Sequence, residues 1–290
     1  MPHKTLATQL PLYWRLMRFH RPIGIWLLLW PTLWALWFAA GGRPDTQVLV
    51  VFVLGTVLMR AAGCVINDFA DRAFDPHVER TKDRPLAAGL VSSAEALKLF
   101  VVLGLVAFVL VASLDNGQVL LLSVPAVLLA ALYPFTKRWI SMPQAVLGLA
   151  FSWGIPMAYA AVLPEVPWNE VLPLMAANVC WVIAYDTFYA MTDRDDDLKV
   201  GVKSSAILFG RHDLLITAIL QVAALVLLAW VGRELSLYYF GGLAVAAALS
   251  LQQQRMVRSR EPERCFAAFL ANNRFGAVVF LGLALDRLLA

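Results

Sequence analysis

Two clusters of acidic residues carry the side chains best suited to chemistry in this sequence. The first has the sequence Asn67-Asp68-Phe-Ala-Asp71-Arg72-Ala-Phe-Asp75. The second has the sequence Asp186-Thr-Phe-Tyr189-Ala-Met-Thr-Asp193-Arg-Asp-Asp-Asp197. Each cluster contains a DxxxD element at the end of a long apolar segment. The recurrence of one element in two such places indicates a weak internal duplication.

The spacing inside each cluster predicts that its polar side chains share one face of a helix. Residues three, four and seven positions apart lie on the same side of an α-helix. If the helix that leads into the first cluster continues past residue 67, then Asn67, Asp71 and Asp75 form one stripe, with Arg60 two turns deeper in the membrane. The equivalent stripe in the second cluster consists of Asp186, Tyr189, Asp193 and Asp197.

Carboxylates grouped this closely repel one another unless a cation compensates their charge. Mg²⁺ prefers oxygen ligands and is usually held by one or two carboxylates together with substrate phosphates. Basic residues follow both clusters and also close the loop between them: Arg80, Lys82, Arg84, Lys137, Arg138, Lys199 and Lys203. The pattern favours two Mg²⁺ ions shared with a phosphorylated substrate, although one acidic segment alone would most often be a solvated surface.

The elements that position these clusters are predicted to be transmembrane helices. Of 290 residues, 60% are hydrophobic and 15% are charged, against roughly 45–50% and 25% in soluble domains. Nine apolar runs approach the length of about 20 residues that a membrane span needs: 23–40, 47–66, 94–113, 118–133, 143–163, 170–191, 212–232, 236–251 and 266–285. The sequence therefore predicts an all-α integral membrane protein with nine transmembrane helices, forming a single domain over residues 1–290.

Charge placement predicts the orientation of these helices. The N-terminus and the connections after the even-numbered spans hold most of the 24 Lys and Arg residues. By the positive-inside rule this side is cytoplasmic, and both aspartate clusters lie on it. The formal net charge of +4 comes without an Arg-rich run or basic tail, so we expect no nucleic-acid partner.

Two single residues have both a structural and a functional explanation. Arg60 lies inside an apolar run, where a charge costs at least about 2.5–3.5 kcal/mol and therefore faces a cavity or a partner. It either pairs with an aspartate or holds an anionic substrate. Tyr133, in Tyr-Pro-Phe-Thr-Lys-Arg, is either an aromatic anchor at the membrane interface or part of the site.

Several motifs in the sequence resemble those of the intramembrane aromatic prenyltransferases of the UbiA superfamily, over nearly the whole chain. The motifs are Arg21-Pro22-Ile-Gly24, Gly63-Cys64-Val-Ile-Asn67-Asp68-x-x-Asp71-x-x-x-Asp75, Arg80-Thr81-x-x-Arg84-Pro85-Leu86, Tyr133-Pro134-Phe135-x-Lys137-Arg138 and Ala184-Tyr185-Asp186-Thr187-x-Tyr189-Ala190-Met191-x-Asp193-Arg-Asp-Asp-Asp197-x-Lys199-x-Gly201-x-Lys203-Ser204. The first Asp motif fits the superfamily as a whole, and the second Asp motif, together with the Arg80 and Tyr133 segments, indicates one branch of it.

The resemblance implies a central cavity with the Asp motifs at its cytoplasmic mouth and a lateral opening for lipid. It implies Mg²⁺-diphosphate roles for Asn67, Asp71, Asp75, Asp186, Asp193 and Asp197. Phosphate oxygens are expected at Arg80, Arg84, Lys137, Arg138 and Lys203. The motif tyrosines Tyr133 and Tyr189 are expected at the substrates, and Arg60 is expected near the aromatic acid.

The activity implied by this resemblance is transfer of a polyprenyl group from polyprenyl diphosphate to the ring carbon ortho to the hydroxyl of 4-hydroxybenzoate. Such a reaction releases diphosphate and belongs to ubiquinone biosynthesis, in the lipid bilayer of a bacterial inner membrane. Another aromatic acceptor, or a transporter of organic anions, remains an alternative. A CDP-alcohol phosphotransferase does not, because neither cluster contains the required DGxxAR segment.

Overall fold

The computed structural model describes residues 6–78 and 81–289, and every regular element in these two ranges is helical. Short 3₁₀ turns lie at Asp75–His77 and Gly210–His212. The α-helices are α1 (Leu6–Leu16), α2 (Ile23–Ala39), α3 (Thr46–Asp71), α4 (Ser93–Ala112), α5 (Gly117–Thr136), α6 (Pro143–Ser152), α7 (Gly154–Val162), α8 (Trp168–Thr192), α9 (Arg194–Val200), α10 (Ser205–Phe209), α11 (Asp213–Val231), α12 (Leu237–Val257) and α13 (Pro262–Leu289).

Seven helical segments within the described residues are long and apolar enough to cross a membrane. They are Thr46–Asp71, Ser93–Ala112, Gly117–Thr136, Pro143–Val162, Trp168–Thr192, Ser205–Val231 and Pro262–Leu289. Large apolar side chains remain exposed on their outer faces, including Val109 at 66% and Leu121 at 73%. Lipid accommodates such surfaces and water does not, so the chain is an integral membrane protein.

The two other predicted spans also coincide with helices, but these do not reach the same length and apolarity. Helix α2 has 17 residues, which at 1.5 Å per residue gives about 26 Å, slightly less than the roughly 30 Å of a hydrocarbon core. Helix α12 carries the polar sequence Gln252-Gln253-Gln254-Arg255 in its last two turns. The number nine therefore stays a prediction, while the helical membrane bundle is established.

Helix α8 lies at the centre of the bundle and is the most buried of the candidate spans. It packs against α6, α11 and α13. Its Trp181 stacks on Phe275 with ring centroids 5.1 Å apart and donates its indole N–H to Asn272. Because a buried indole N–H needs an acceptor, this hydrogen bond holds α8 and α13 in register.

Both predicted stripes are interrupted where the chain leaves the bundle. Helix α3 continues past Asn67 but ends at Asp71, and Asp75 begins a separate 3₁₀ turn. In the second cluster α8 ends at Thr192, and Asp193 separates it from α9. The prediction of one continuous helical face was thus wrong for both clusters. The three aspartates after Arg194 favour a new helix start, because carboxylates are stabilised in the first turn of a helix.

A buried aspartate joins the elements that follow the second cluster. Asp213, at the start of α11, is fully buried, and its carboxylate accepts hydrogen bonds from Arg194 at 3.3 Å and from Arg260 at 2.7 Å. Arg194 directly follows Asp193, and Arg260 lies beyond the end of α12. This cluster therefore fixes the start of α9 against the start of α11 and the end of α12.

We expect Asp213→Asn to lower the stability of the protein by about 2 kcal/mol, the order of a charged hydrogen bond. The measurement is thermal unfolding in detergent. Glu234→Gln is the control, because Glu234 makes an exposed pair with Arg233, and such pairs contribute at most about 1 kcal/mol. Equal melting temperatures for Asp213→Asn and Glu234→Gln would refute this role of Asp213.

Candidate active site

A cavity of about 720 Å³ lies inside the bundle, with both aspartate clusters at one end. The remainder of it is lined mainly by apolar residues, including Phe52, Phe108, Val111, Trp153 and Met157. The two clusters lie at the C-terminal ends of α3 and α8, and both line the mouth of this cavity. The two motifs are far apart in sequence, and the fold makes them one site.

The first cluster is buried and neutralised by basic side chains. Arg84 Nη1 lies 2.8 Å from Asp75 Oδ2 and 3.2 Å from Asp68 Oδ1, so one guanidinium serves two carboxylates. Asp68 also pairs with Arg18, and Asp71 pairs with Lys137. These pairs offset the repulsion that the spacing of the carboxylates creates.

The loop between α3 and α4 positions Arg84. Thr81 is buried and donates its hydroxyl to the backbone carbonyl of Asp75, 3.0 Å away. The backbone N–H of Arg84 in turn donates to the carbonyl of Thr81. These bonds turn the loop back over the 3₁₀ segment, and Arg84 thereby reaches the aspartates.

The oxygens of this cluster fit a divalent cation. Asp71 Oδ1 is buried without a hydrogen-bond partner among the described residues, while Oδ2 accepts from Asn67 Nδ2 at 3.2 Å. The pKa of Asp75 is raised above its ordinary value. Burial is the largest cause, Arg84 opposes the rise, and the Asp71 and Asp68 carboxylates add to it. A buried, unpaired carboxylate oxygen is costly, and a bound cation would compensate it.

The protein part of such a cation site is incomplete within the described chain. No group of three or more His, Cys, Asp or Glu residues there is close enough to hold a metal ion. Mg²⁺ commonly completes its shell with water and substrate phosphates rather than with protein alone. The donor set is therefore compatible with a metal ion that arrives with an anionic ligand.

The second cluster faces the first across the cavity mouth. Asp186, Asp193 and Asp197 are half-buried and line the cavity. Asp186 lies deepest and interacts electrostatically with Arg60 and Lys137. The two clusters therefore line one cavity, and Lys137 interacts with a carboxylate of each.

Below the aspartates, Arg60 and three tyrosines form a less acidic layer. Arg60 Nη1 donates to Cys64 Sγ, while Arg60 Nε is buried and has no hydrogen-bond partner among the described residues. Tyr133, Tyr185 and Tyr189 line the same region. A guanidinium beside phenol rings suits a small aromatic anion.

Most of the side chains predicted for the site line this cavity. They are Arg60, Asn67, Asp71, Asp75, Arg84, Tyr133, Lys137, Asp186, Tyr189, Asp193, Asp197 and Lys203. Lys203 donates its ammonium to the carbonyl of Trp139, and its backbone N–H donates to the carbonyl of Lys137. The loops after α5 and α9 are thus joined at the mouth.

Two predicted residues lie elsewhere or are not placed. Arg138 donates to the carbonyl of Ala70 at the end of α3, and its guanidinium lies 5.5 Å from the ring centroids of both Phe74 and Phe135. Of the adjacent pair, Lys137 is the one that faces the cavity. Arg80 lies outside the described residues.

Sequence reasoning missed several residues of the site. Asp68 belongs to the first motif but lies off the predicted stripe, and its pair with Arg84 depends on the fold of the loop after α3. Arg18 precedes the first span and carried no motif that would connect it with Asp68. Tyr185 is buried, and its hydroxyl has no partner among the described residues; the phenol beside Asp186 in sequence was the available signal.

The arrangement can bind a phosphate-bearing group together with a divalent cation at its mouth, and a long apolar chain in its interior. These properties define a class of membrane protein that acts on an amphiphilic phosphorylated ligand. The family comparison agrees, since residues 28–279 match the UbiA prenyltransferase family. The chain belongs to this family.

Relatives and solved structures are similar over most of the chain. A "4-hydroxybenzoate octaprenyltransferase" from Thiobacillus denitrificans is 58% identical, covering 98% of this chain and 97% of the relative. One of the same name from Nitrosococcus oceani is 60% identical, covering 98% and 100%.

Two structures share the fold. A UbiA homolog from Aeropyrum pernix K1 aligns with a TM-score of 0.78 at 25% identity, covering 89% of this chain and 97% of that one. A UbiA homolog from Archaeoglobus fulgidus, bound to GPP and Mg²⁺, aligns with a TM-score of 0.70 at 20% identity, covering 94% and 99%. The folded bundle is thus that of the family.

Substituting Arg84 by Ala should weaken binding of inorganic diphosphate in the presence of Mg²⁺ by about tenfold or more, the effect of losing a charged hydrogen bond. Isothermal titration calorimetry in detergent measures the affinity. Arg72→Ala is the matched control, because Arg72 is exposed and donates to the carbonyl of Phe69. Unchanged affinity in Arg84→Ala would show that this guanidinium does not contact the anion.

Proposed function

We propose that the protein transfers a polyprenyl group from polyprenyl diphosphate to the ring carbon ortho to the hydroxyl of 4-hydroxybenzoate, releasing diphosphate. The observation that carries this proposal is the single cavity in which a mouth of paired carboxylates and cations is continuous with an apolar interior. The diphosphate and the isoprenoid chain of one substrate require these two environments side by side. The reaction is a membrane step of ubiquinone biosynthesis.

The comparisons support the acceptor and the donor separately. Relatives named "4-hydroxybenzoate octaprenyltransferase" are 55–60% identical over almost the whole chain. The A. fulgidus homolog was solved with GPP and Mg²⁺, and also with DMAPP and Mg²⁺. A prenyl diphosphate and a divalent cation therefore occupy a protein of the same fold.

At the mouth, the side chains divide into two groups. The residues whose oxygens would hold Mg²⁺, as two ions together with the diphosphate, are Asn67, Asp71, Asp75, Asp186, Asp193 and Asp197. Cations for the phosphate oxygens are Arg84, Lys137 and Lys203, with Arg80 and Arg138 nearby in sequence. When bound, Mg²⁺ supplies charge neutralisation of the leaving diphosphate.

The basic residues act mainly as the bond breaks. Negative charge grows on the leaving oxygen as the C1–O bond of the prenyl diphosphate opens, so Arg84 and Lys137 stabilise that state more than the ground state. The prenyl group becomes an allylic cation. Apolar walls such as Phe52 and Trp153 exclude water, which would otherwise capture that cation.

The acceptor ring then attacks as a carbon nucleophile. A C–C bond forms between C1 of the prenyl group and the ring carbon ortho to the phenol oxygen, and the proton of that carbon passes to the released diphosphate. Arg60 holds the acceptor carboxylate, with Tyr133 and Tyr189 against the substrates. Asp186 or Asp193 takes the proton of the phenol, which makes the ring more nucleophilic.

The basic residues of the loops support a particular arrangement of the chain in the membrane. All nine predicted spans cross the bilayer, including α2 and α12, and the chain acts as one domain over residues 1–290. The N-terminus and the aspartate clusters face the cytoplasm, where most basic loops lie. The bacterial relatives support an inner-membrane location.

Purified protein should form prenylated 4-hydroxybenzoate from 4-hydroxybenzoate and prenyl diphosphates only when Mg²⁺ is present. Mass spectrometry of the products with a series of chain lengths measures this. Excess EDTA should stop the reaction, and added Mg²⁺ should restore it. Full turnover in EDTA would exclude the metal, and product with other phenols alone would identify another acceptor. Flux of the acid across liposomes without product would favour a transporter.

Asp71→Ala and Asp193→Ala should each lower turnover by at least about a thousandfold, because each removes a proposed oxygen ligand of the Mg²⁺ that would neutralise the leaving diphosphate. Product formation is measured on protein that still inserts and melts as the wild type does. Asp195→Ala is the control, since Asp195 is exposed in the same cluster. Comparable activity in all three variants would contradict the assignment.

A further inference from the structure

The guanidinium of Arg60 occupies the space beside Gly24 on the neighbouring helix. A Cβ atom at Gly24 would lie 2.6 Å from Arg60 Cζ and still closer to Nε and Nη2. Both residues line the cavity. A side chain at position 24 and the present position of Arg60 therefore exclude each other.

Space, rather than backbone freedom, accounts for the use of glycine at this position. Gly24 lies in the first turn of α2, and it is not among the described glycines with positive φ. Any residue can adopt its backbone conformation. What a substitution removes is the recess in which the guanidinium lies.

The recess fixes the position of the guanidinium, because Nε and Nη2 lie against Gly24. Nη1 donates to Cys64 Sγ one turn along α3, and Nε is buried with no partner among the described residues. Asp186, Tyr133 and Tyr185 all interact electrostatically with Arg60. The guanidinium is thus held between α2 and α3, and it lines the same cavity as Tyr133 and Tyr185.

We propose that Gly24 is a positioning residue for Arg60 and determines selectivity for an acceptor that carries a carboxylate, an inference that rests on the proposed function. A guanidinium and a carboxylate bind strongly only when their atoms are aligned. A displacement of about 1 Å is enough to cost a large factor in such a site. Position 24 therefore acts on the acceptor through Arg60.

Gly24→Ala should displace the guanidinium without unfolding the protein, because the overlapping atoms are the far end of a flexible side chain. We expect the KM for 4-hydroxybenzoate to rise by about tenfold or more. The KM for the prenyl diphosphate and the melting temperature should stay at their wild-type values. With a carboxylate-free phenol as acceptor, the variant and the wild type should differ by less than about twofold.

A double-mutant cycle separates positioning from a general packing defect. In an Arg60→Ala background, Gly24→Ala should change the KM for 4-hydroxybenzoate by less than about twofold, since the residue it displaces is gone. Gly241→Ala is the control, because a Cβ there meets nothing within 4 Å and Gly241 lies on α12, outside the cavity. An equal penalty with and without Arg60, or no penalty at all, would overturn the proposal.

Binding of 4-hydroxybenzoate without a prenyl donor distinguishes this inference from the proposed function. Calorimetry that shows wild-type binding and weaker binding by Gly24→Ala supports the positioning role even if no prenylated product forms. Equal binding by both proteins overturns the role while leaving prenyl transfer intact. Absence of binding by the wild type overturns both the role and the proposed acceptor.

Discussion

The structure depends on the pairing of buried carboxylates with cations at one end of an apolar bundle. Asp68, Asp71 and Asp75 are each almost fully buried, and isolated charges so placed would be strongly unfavourable. Arg84 and Lys137 make their burial possible. Because these cations come from loops after different helices, the same ion pairs that neutralise the cluster also hold the mouth of the cavity together.

This constraint explains why the helices end where they do. A chain that stayed helical through the first cluster would carry Asp75 away on the axis of α3, whereas the 3₁₀ turn brings it back to Arg84. The second cluster is also interrupted, since α8 ends at Thr192 and α9 begins at Arg194. Polar segments at the ends of apolar helices are free to leave helical geometry, since water rather than lipid can satisfy their backbone groups.

The fold class and most of the site were predictable from the sequence because both depend on local features. Apolar runs of span length indicate membrane helices wherever they pack, and a repeated DxxxD element indicates an acidic site. The choice between Lys137 and Arg138 was not predictable, because the two are adjacent in sequence and opposite in environment. The pairing of Asp68 with Arg18 likewise depends on how the first loop folds over α3.

Composition and spacing alone were therefore enough for the membrane class, the two acidic motifs and their association with cations. Tertiary packing decided which carboxylate oxygen is left unpaired, which basic side chain faces the cavity, and that Arg60 lies in the space beside Gly24. The physical reason is that hydrophobicity and helical period are properties of short segments. A contact between α2 and α3, or between a loop and a helix end, exists only once the whole bundle has closed around its cavity.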